Sequence, residues 1–329
     1  MQVIEPKIVV LGTGGTLAGS GGDANDNLGY RAGTIGIDAV LARIPALQGR
    51  LLVAEQVAQI DSKDMGFAVW RALALRCDHW LAHPDAAGIV IAHGTDTLEE
   101  TAFFLHSVLA PAKPIVLTCA MRPATAQFPD GPQNLADALA VASTAQARGV
   151  VAVCAGAVHG ALDVAKRHTY RLDAFSSGDA GPIGYVEERR VRQLRPWPDG
   201  RGDPAVLRRL PADAGAWPRV EIVMNYAGAS GAAVEALTAQ GVAGLVVAGT
   251  GNGSLHHELE AALLAAQAQG VRVLRTTRCA EGPVLATPHD TLPAAGALSP
   301  VKARIALMLE LLANAGATVR TRGPASPGR

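Results

Sequence analysis

Aromatic residues are scarce in this sequence, at 4% of 329, and charged residues make up only 18%. Lys+Arg and Asp+Glu are equal at 29 each, so the net charge is zero and there is no electrostatic case for a nucleic-acid or anionic membrane partner. Cysteine is sparse too: Cys77, Cys119, Cys154 and Cys279 are widely scattered and form no CxxC pair. Cys119 and Cys154 close apolar runs and read as small buried hydrophobes. No apolar run approaches membrane-spanning length. The opening MQVIEPKIVV lacks a basic segment leading into an apolar stretch and a cleavage site, so the chain reads as soluble and cytoplasmic. HExxH and GxSxG motifs are missing, and no internal repeat is visible.

What is present is a hydrophobic fraction of 49%, enough for a large core and two domains. The organising stretch is Lys7 to Thr16, KIVVLGTGGT. Its β-branched run suits a buried strand, and the glycines permit a sharp turn with room for a ligand at the strand's carboxyl end. A nucleotide-phosphate cradle is the ordinary reading of such a loop. The spacing argues against it, because Leu17 stands where the dinucleotide fingerprint needs its third glycine, and the Gly-Lys-Ser/Thr of a P-loop never occurs. What remains is a threonine, Thr16, held at a strand tip.

Gly19 to Tyr30 is rich in Gly, Asn and Asp and reads as a loop, either plain surface or a lid that carries Tyr30 towards Thr16. Ile37 to Leu47 has a helical pattern, and Leu51 to Val57 alternates like a strand. Ser62 then precedes an amphipathic helix running to about His83, where it would serve as an N-cap. The apolar run Gly88 to Ala92 predicts a central parallel strand, ending in His93-Gly94-Thr95-Asp96-Thr97 at a helix start, where Thr95 would cap. Strands at Pro114–Cys119 and Val150–Cys154 flank a helix opening at Gly131. Lys166 follows and on its own reads as a solvated lysine. Val191 to Pro218, rich in proline and arginine, reads as a linker. An α/β rhythm then resumes to Asn314, with the tail after Gly316 expected to fray. The expected division is 1–195 for an N-terminal α/β catalytic domain, 196–218 for the linker and 219–329 for a C-terminal α/β domain.

TGGT after the first strand, HGTDT after a later one and the lysine of DVAK together resemble the bacterial-type L-asparaginase family, which includes the glutaminase-asparaginases. The likeness continues in order through GYRAG, AMRPATAQFPDGPQNL, NYAGAS, AGTGNGS and LSPVKAR, across nearly the whole chain. It implies a two-domain α/β fold, with a larger flavodoxin-like N-terminal domain and a smaller C-terminal one. It also implies a homotetramer with active sites at the intimate dimer interface, and hydrolysis of L-asparagine with glutaminase side activity. By the same resemblance Thr16, Tyr30, Thr95 and Lys166 are catalytic, while Ser62, Lys63, Gly94, Asp96 and Ser254 bind substrate. No metal or cofactor is implied.

The chemistry suits these residue types. A threonine hydroxyl is a poor nucleophile at neutral pH and needs a base or a proton path. In one route Thr16 attacks the amide with help from Tyr30; in the other Thr95 and Lys166 activate a nucleophile directly. The first is preferred, with Thr95–Lys166 relaying protons, backbone N–H groups near Gly94-Thr95 holding the oxyanion, and Asp96 pairing the substrate's α-ammonium. Two positions depart from well-known secreted members. Lys63 replaces Gln or Glu, and a cation there would repel an ammonium unless it turns away or pairs with a carboxylate. Ser254 stands where some members have Asn. The family also lends a carboxylate from the neighbouring subunit, for which Asp290 and Glu281 both remain open. The competing readings are a ligand sensor or amidotransferase subunit on the same fold and, third, a nucleotide-dependent oxidoreductase.

Overall fold

The computed structural model describes residues 7–200 and 202–318, which fall into two compact units meeting in sequence at Pro204/Ala205. In the first, the apolar runs become parallel strands: β1 (Lys7–Gly14), β2 (Leu52–Ile60), β3 (Ala86–Ala92), β4 (Pro114–Thr118) and β5 (Gly149–Cys154). Their order in the sheet is β2-β1-β3-β4-β5, the flavodoxin-like arrangement. Antiparallel strands β6 (Ala157–Gly160), β7 (Gly184–Glu187) and β8 (Arg190–Gln193) extend the far edge. Each parallel crossover carries a helix: α1 (Ile37–Ala42), α2 (Phe67–Ala82), α3 (Leu98–Val108) and α4 (Gly131–Ala142).

Continuous rather than alternating hydrophobicity follows from helices covering both faces of the sheet. Val9, Val10, Leu11, Val90, Ile91, Val116 and Leu117 are all buried to completion. Ile8 and Val10 pack in one cluster with Val40 and Leu139, while Val9 and Leu11 point to the opposite face by the two-residue strand period. Between α2 and α3, Trp70 stacks on Phe104 at 4.9 Å and donates its indole N–H to Thr101 Oγ1 at 2.9 Å. A buried indole so satisfied leaves no polar atom uncompensated.

Two boundaries differ from the sequence reading. α1 stops at Ala42 rather than continuing to Leu47, because Ile44 precedes Pro45 and takes an extended conformation before a 3-10 turn. β2 runs on to Ile60, beyond the expected Val57, and thereby delivers Asp61-Ser62 to the carboxyl end of the sheet. Within the proline-rich stretch from Val191 to Pro218, residues 191–193 close β8, a helical turn spans Pro204–Leu207, and Leu210 and Trp217 are buried.

The second unit is a three-stranded parallel sheet, β9 (Val220–Met224), β10 (Gly244–Gly249) and β11 (Arg272–Thr277), in that order. Helices α5 (Ala232–Ala239), α6 (His257–Ala268) and α7 (Pro300–Thr318) accompany it. Leu245, Val247, Leu259 and Leu263 centre its core. The tail from 319 onward lies outside the described residues.

Burial of two histidines sets an acid limit on stability. His93, after β3, and His159, on β6, are both pushed down to about 4 by desolvation, outweighing in His93 a hydrogen bond to the Gly94 carbonyl. Folded histidine therefore stays neutral while the unfolded chain takes up a proton below about 6.5. Their contribution is whole above pH 6.5 and is lost as pH falls towards 4, at up to about 3 kcal/mol for each. Urea unfolding of His159→Gln across this range should show a shallower acid decline than the wild type. An identical slope would contradict the assignment.

Candidate active site

The strand order reverses between β1 and β3, and both threonine motifs leave the sheet there. This topological switch point is where open α/β sheets take their ligands. Gly14 and Gly15 turn the chain at φ 105° and 77°, in the left-handed region that disfavours side chains. The turn is fixed by Gly15 N–H donating to the Ile60 carbonyl at 2.8 Å. A Cβ on Gly15 would overlap the backbone of Gly94, and one on Gly94 would strike the Ser62 side chain. The two motif loops thus meet backbone to backbone, which accounts for glycine in both.

Thr16 opens a 3-10 turn and is only 7% exposed. The segment after it folds back, pairing Ser20–Gly21 with Tyr30–Arg31 in antiparallel register, while Gly21 N–H donates to Thr125 Oγ1 at 2.8 Å. This return brings the Tyr30 hydroxyl to 2.6 Å from Thr16 Oγ1. Burial pushes the Tyr30 phenol up, and the nearby Asp61 and Asp96 carboxylates add to that, against the Thr16 hydrogen bond and Lys63, which lower it. Tyr30 therefore keeps its proton at neutral pH.

The second motif forms a separate chain of polar contacts. The Lys166 ammonium donates to Thr95 Oγ1 at 2.7 Å and to Asp96 Oδ1 at 2.6 Å, and Thr95 Oγ1 donates to Asp96 Oδ1 at 3.3 Å. Lys166 lies on a short pairing of Ala165–Lys166 with Phe175–Ser176, and its backbone N–H donates to Glu99 Oε2 at 3.1 Å. Neither capping reading survives. α3 begins at Leu98, so Thr95 sits ahead of it with its hydroxyl committed to Lys166. Ser62 opens its own 3-10 turn, well before α2, and its Oγ accepts from Asp96 N–H at 3.1 Å. Thr97 Oγ1 donates to the Ser62 carbonyl at 2.8 Å, tying the same two loops again.

A cleft of about 240 Å³ has Tyr30, Asp96 and Lys166 in its wall, while Thr16, Thr95 and Ser62, which these residues or their neighbours contact, are not among its lining. Asp61 and Met121 line it as well, and neither stood out in the sequence. Lys63 does not line it: its ammonium is drawn onto Asp61 Oδ2 at 2.6 Å, with Asp64 at 3.9 Å. Ser254 belongs to the second unit, where its N–H and carbonyl pair with those of Thr250. In that unit the Asp290 carboxylate is engaged by Arg275 and by Thr287. Buried thiols offer no rival nucleophile. Desolvation pushes Cys77 far up, and the Cys154 contact together with burial does the same to Cys119.

The family profile described as Asparaginase, N-terminal matches residues 7–198, and that of the Glutaminase/Asparaginase C-terminal domain matches 219–319. The chain belongs to the asparaginase family. L-asparaginase 2 of Escherichia coli is 37% identical over 322 residues, which is 93% of this chain and 89% of that protein. The glutaminase-asparaginase of Pseudomonas fluorescens is 37% identical over 319 residues, covering 93% and 86%. The crystal structure of a probable cytoplasmic L-asparaginase from Campylobacter jejuni superposes with a TM-score of 0.86 at 36% identity, covering 93% of this chain and 95% of that one. The two-domain α/β architecture is thus that of an asparaginase, and among the described residues no helix is long and apolar enough to cross a membrane.

Proposed function

We propose that this protein hydrolyses the side-chain amide of L-asparagine to L-aspartate and ammonia, with Thr16 as the covalent nucleophile. The observation that carries the reading is the convergence of Thr16–Tyr30 and Thr95–Lys166–Asp96 on one switch point. Thr16 Oγ attacks the amide carbon, and its proton passes through Tyr30 towards the departing nitrogen. Tyr30 is a phenol at rest, so it hands a proton on as it receives one rather than acting as a preformed base. Backbone N–H groups at the Gly94-Thr95 turn hold the oxyanion, ammonia leaves, and a β-aspartyl ester remains on Thr16. Water then adds to the ester carbon, its proton passing by way of Thr95 and Lys166 to Thr16 Oγ as the acyl C–O bond breaks, which releases L-aspartate and restores the Thr16 hydroxyl. Asp96 pairs the substrate's α-ammonium and is shared with Lys166, so binding loosens the lysine's ion pair when the relay is needed. Ser62 holds Asp96 through its N–H and faces the substrate's α-carboxylate end.

Glutamine is a second substrate in this reading. The resemblance to the Pseudomonas fluorescens glutaminase-asparaginase favours it, and one methylene is worth only about 1–3 kcal/mol in a pocket. The test is ammonia release from asparagine and from glutamine without any nucleotide. Turnover of asparagine with a higher kcat/KM than glutamine is the expected result. Release only in the presence of a nucleotide or a second protein would favour an amidotransferase subunit instead.

The assembly in this reading is a homotetramer in the cytoplasm. The low charged fraction supports the tetramer, and the likeness to the probable cytoplasmic enzyme of Campylobacter jejuni supports the compartment. Against the compartment stands a probable periplasmic L-asparaginase of Haemophilus influenzae, 36% identical over 93% of this chain and 88% of that protein. Sedimentation of a fully active monomer at assay concentration would contradict the tetramer.

A further inference from the structure

Asp61 is a carboxylate in the wall of the cleft that the proposed reaction does not use. It sits at the end of β2, immediately before Ser62, and shares the cleft with Asp96. One of its oxygens, Oδ1, accepts from Lys63 N–H at 3.4 Å and caps the turn that starts at Ser62. The other, Oδ2, accepts from the Lys63 ammonium at 2.6 Å. A carboxylate has about four acceptor directions, so these two contacts leave capacity for another donor. The side chain is 32% exposed, whereas Lys63 stands outside it at 63%. Lys63 is thus the more exposed of the pair, and Asp61 is the one that lines the cleft. A capping role alone would be met by an uncharged Asn or Ser.

We propose that Asp61 is a second carboxylate for the substrate's α-ammonium, completing with Asp96 an anionic pocket that selects α-amino acids, and that Lys63 is its positioning residue. This rests on the hydrolytic reading above. The cation expected to repel the substrate instead holds the carboxylate that attracts it, and keeps two carboxylates in one cleft from destabilising each other. Without the Lys63 ammonium, Asp61 would keep only the 3.4 Å contact from the backbone N–H of residue 63 and could turn more readily towards solvent, where water competes for it.

The test compares ligands that differ only in the α-ammonium: asparagine against succinamate in turnover, and L-aspartate against succinate in calorimetric binding. For Asp61→Asn, which keeps the capping oxygen, KM for asparagine and Kd for aspartate should rise about tenfold, as expected for losing a charge-assisted contact in a partly exposed site. KM for succinamate and Kd for succinate should stay within about twofold, or fall, because an anionic neighbour has gone. Lys63→Met should shift asparagine and aspartate in the same direction by about threefold, with kcat moving less than KM. Equal shifts for both members of a pair, or none for either, would overturn the role of Asp61. A fall in KM for asparagine in Lys63→Met would overturn that of Lys63. A wild type that releases no ammonia from asparagine would remove the hydrolytic reading, yet the aspartate–succinate comparison would still decide whether Asp61 recognises an ammonium.

Discussion

Thr16→Ala is expected to leave a folded protein whose ammonia release from asparagine is reduced at least ~10³-fold, the scale on which loss of a nucleophile is felt. The substitution removes one hydroxyl and one methyl group from a residue already 7% exposed. The backbone that shapes the loop is held independently, by Gly15 N–H on the Ile60 carbonyl and Gly33 N–H on the Gly15 carbonyl. The stability loss should therefore be modest, about 1–2 kcal/mol, and visible only as a small fall in Tm. What disappears is the oxygen that faces Tyr30 at 2.6 Å. A variant with unchanged Tm and near-wild-type turnover would remove Thr16 from the chemistry and leave the direct route, through Thr95 and Lys166, as the alternative.

Lys166→Met and Thr95→Val should be comparably severe, each at least ~10³-fold in kcat, because each interrupts the relay that hydrolyses the ester. Their geometry makes them interpretable. Valine nearly matches threonine in shape, and Lys166 retains Asp96 when the Thr95 hydroxyl is gone. In Lys166→Met the Asp96 carboxylate loses its ion-pair partner but keeps the Thr95 hydroxyl and is half exposed, so water can solvate it. Groups that act as one unit are not additive, so the double variant should be no more than about tenfold worse than either single one. Losses that multiplied in full would show that Thr95 and Lys166 contribute independently, which a shared proton path does not allow.

Most of the first sheet was legible because its helices cover both faces, which turns Val9–Leu11, Ile89–Ile91, Ile115–Leu117 and Val150–Val153 into unbroken apolar runs. The edge strand was harder. β2 is only partly buried along its length, so its pattern fades before Ile60 and its true end was not apparent. That extension carries Asp61 into the cleft, which is why the residue went unnoticed. Ser62 and Thr95 looked like caps because capping is the local use of a hydroxyl near a helix start. Their actual partners, Asp96 N–H and Lys166, lie 34 and 71 residues away in sequence. Lys166 in turn had no local sign of function, since a lysine acquires one only through what the fold sets beside it. The glycines of both motifs announced turns. That Gly15 and Gly94 are packed against each other required the strand order.

The covalent role of Thr16 can be read directly by acid-quenching Lys166→Met, in which hydrolysis of the ester should be slowed more than its formation, at short times after mixing with asparagine. Peptide mapping by mass spectrometry should then find a gain of one aspartyl group on the peptide containing Thr16, absent from the Thr16→Ala, Lys166→Met double variant. An aspartyl adduct on Thr95 in place of Thr16, or ammonia release by Lys166→Met with no adduct on either threonine, would contradict Thr16 as the nucleophile.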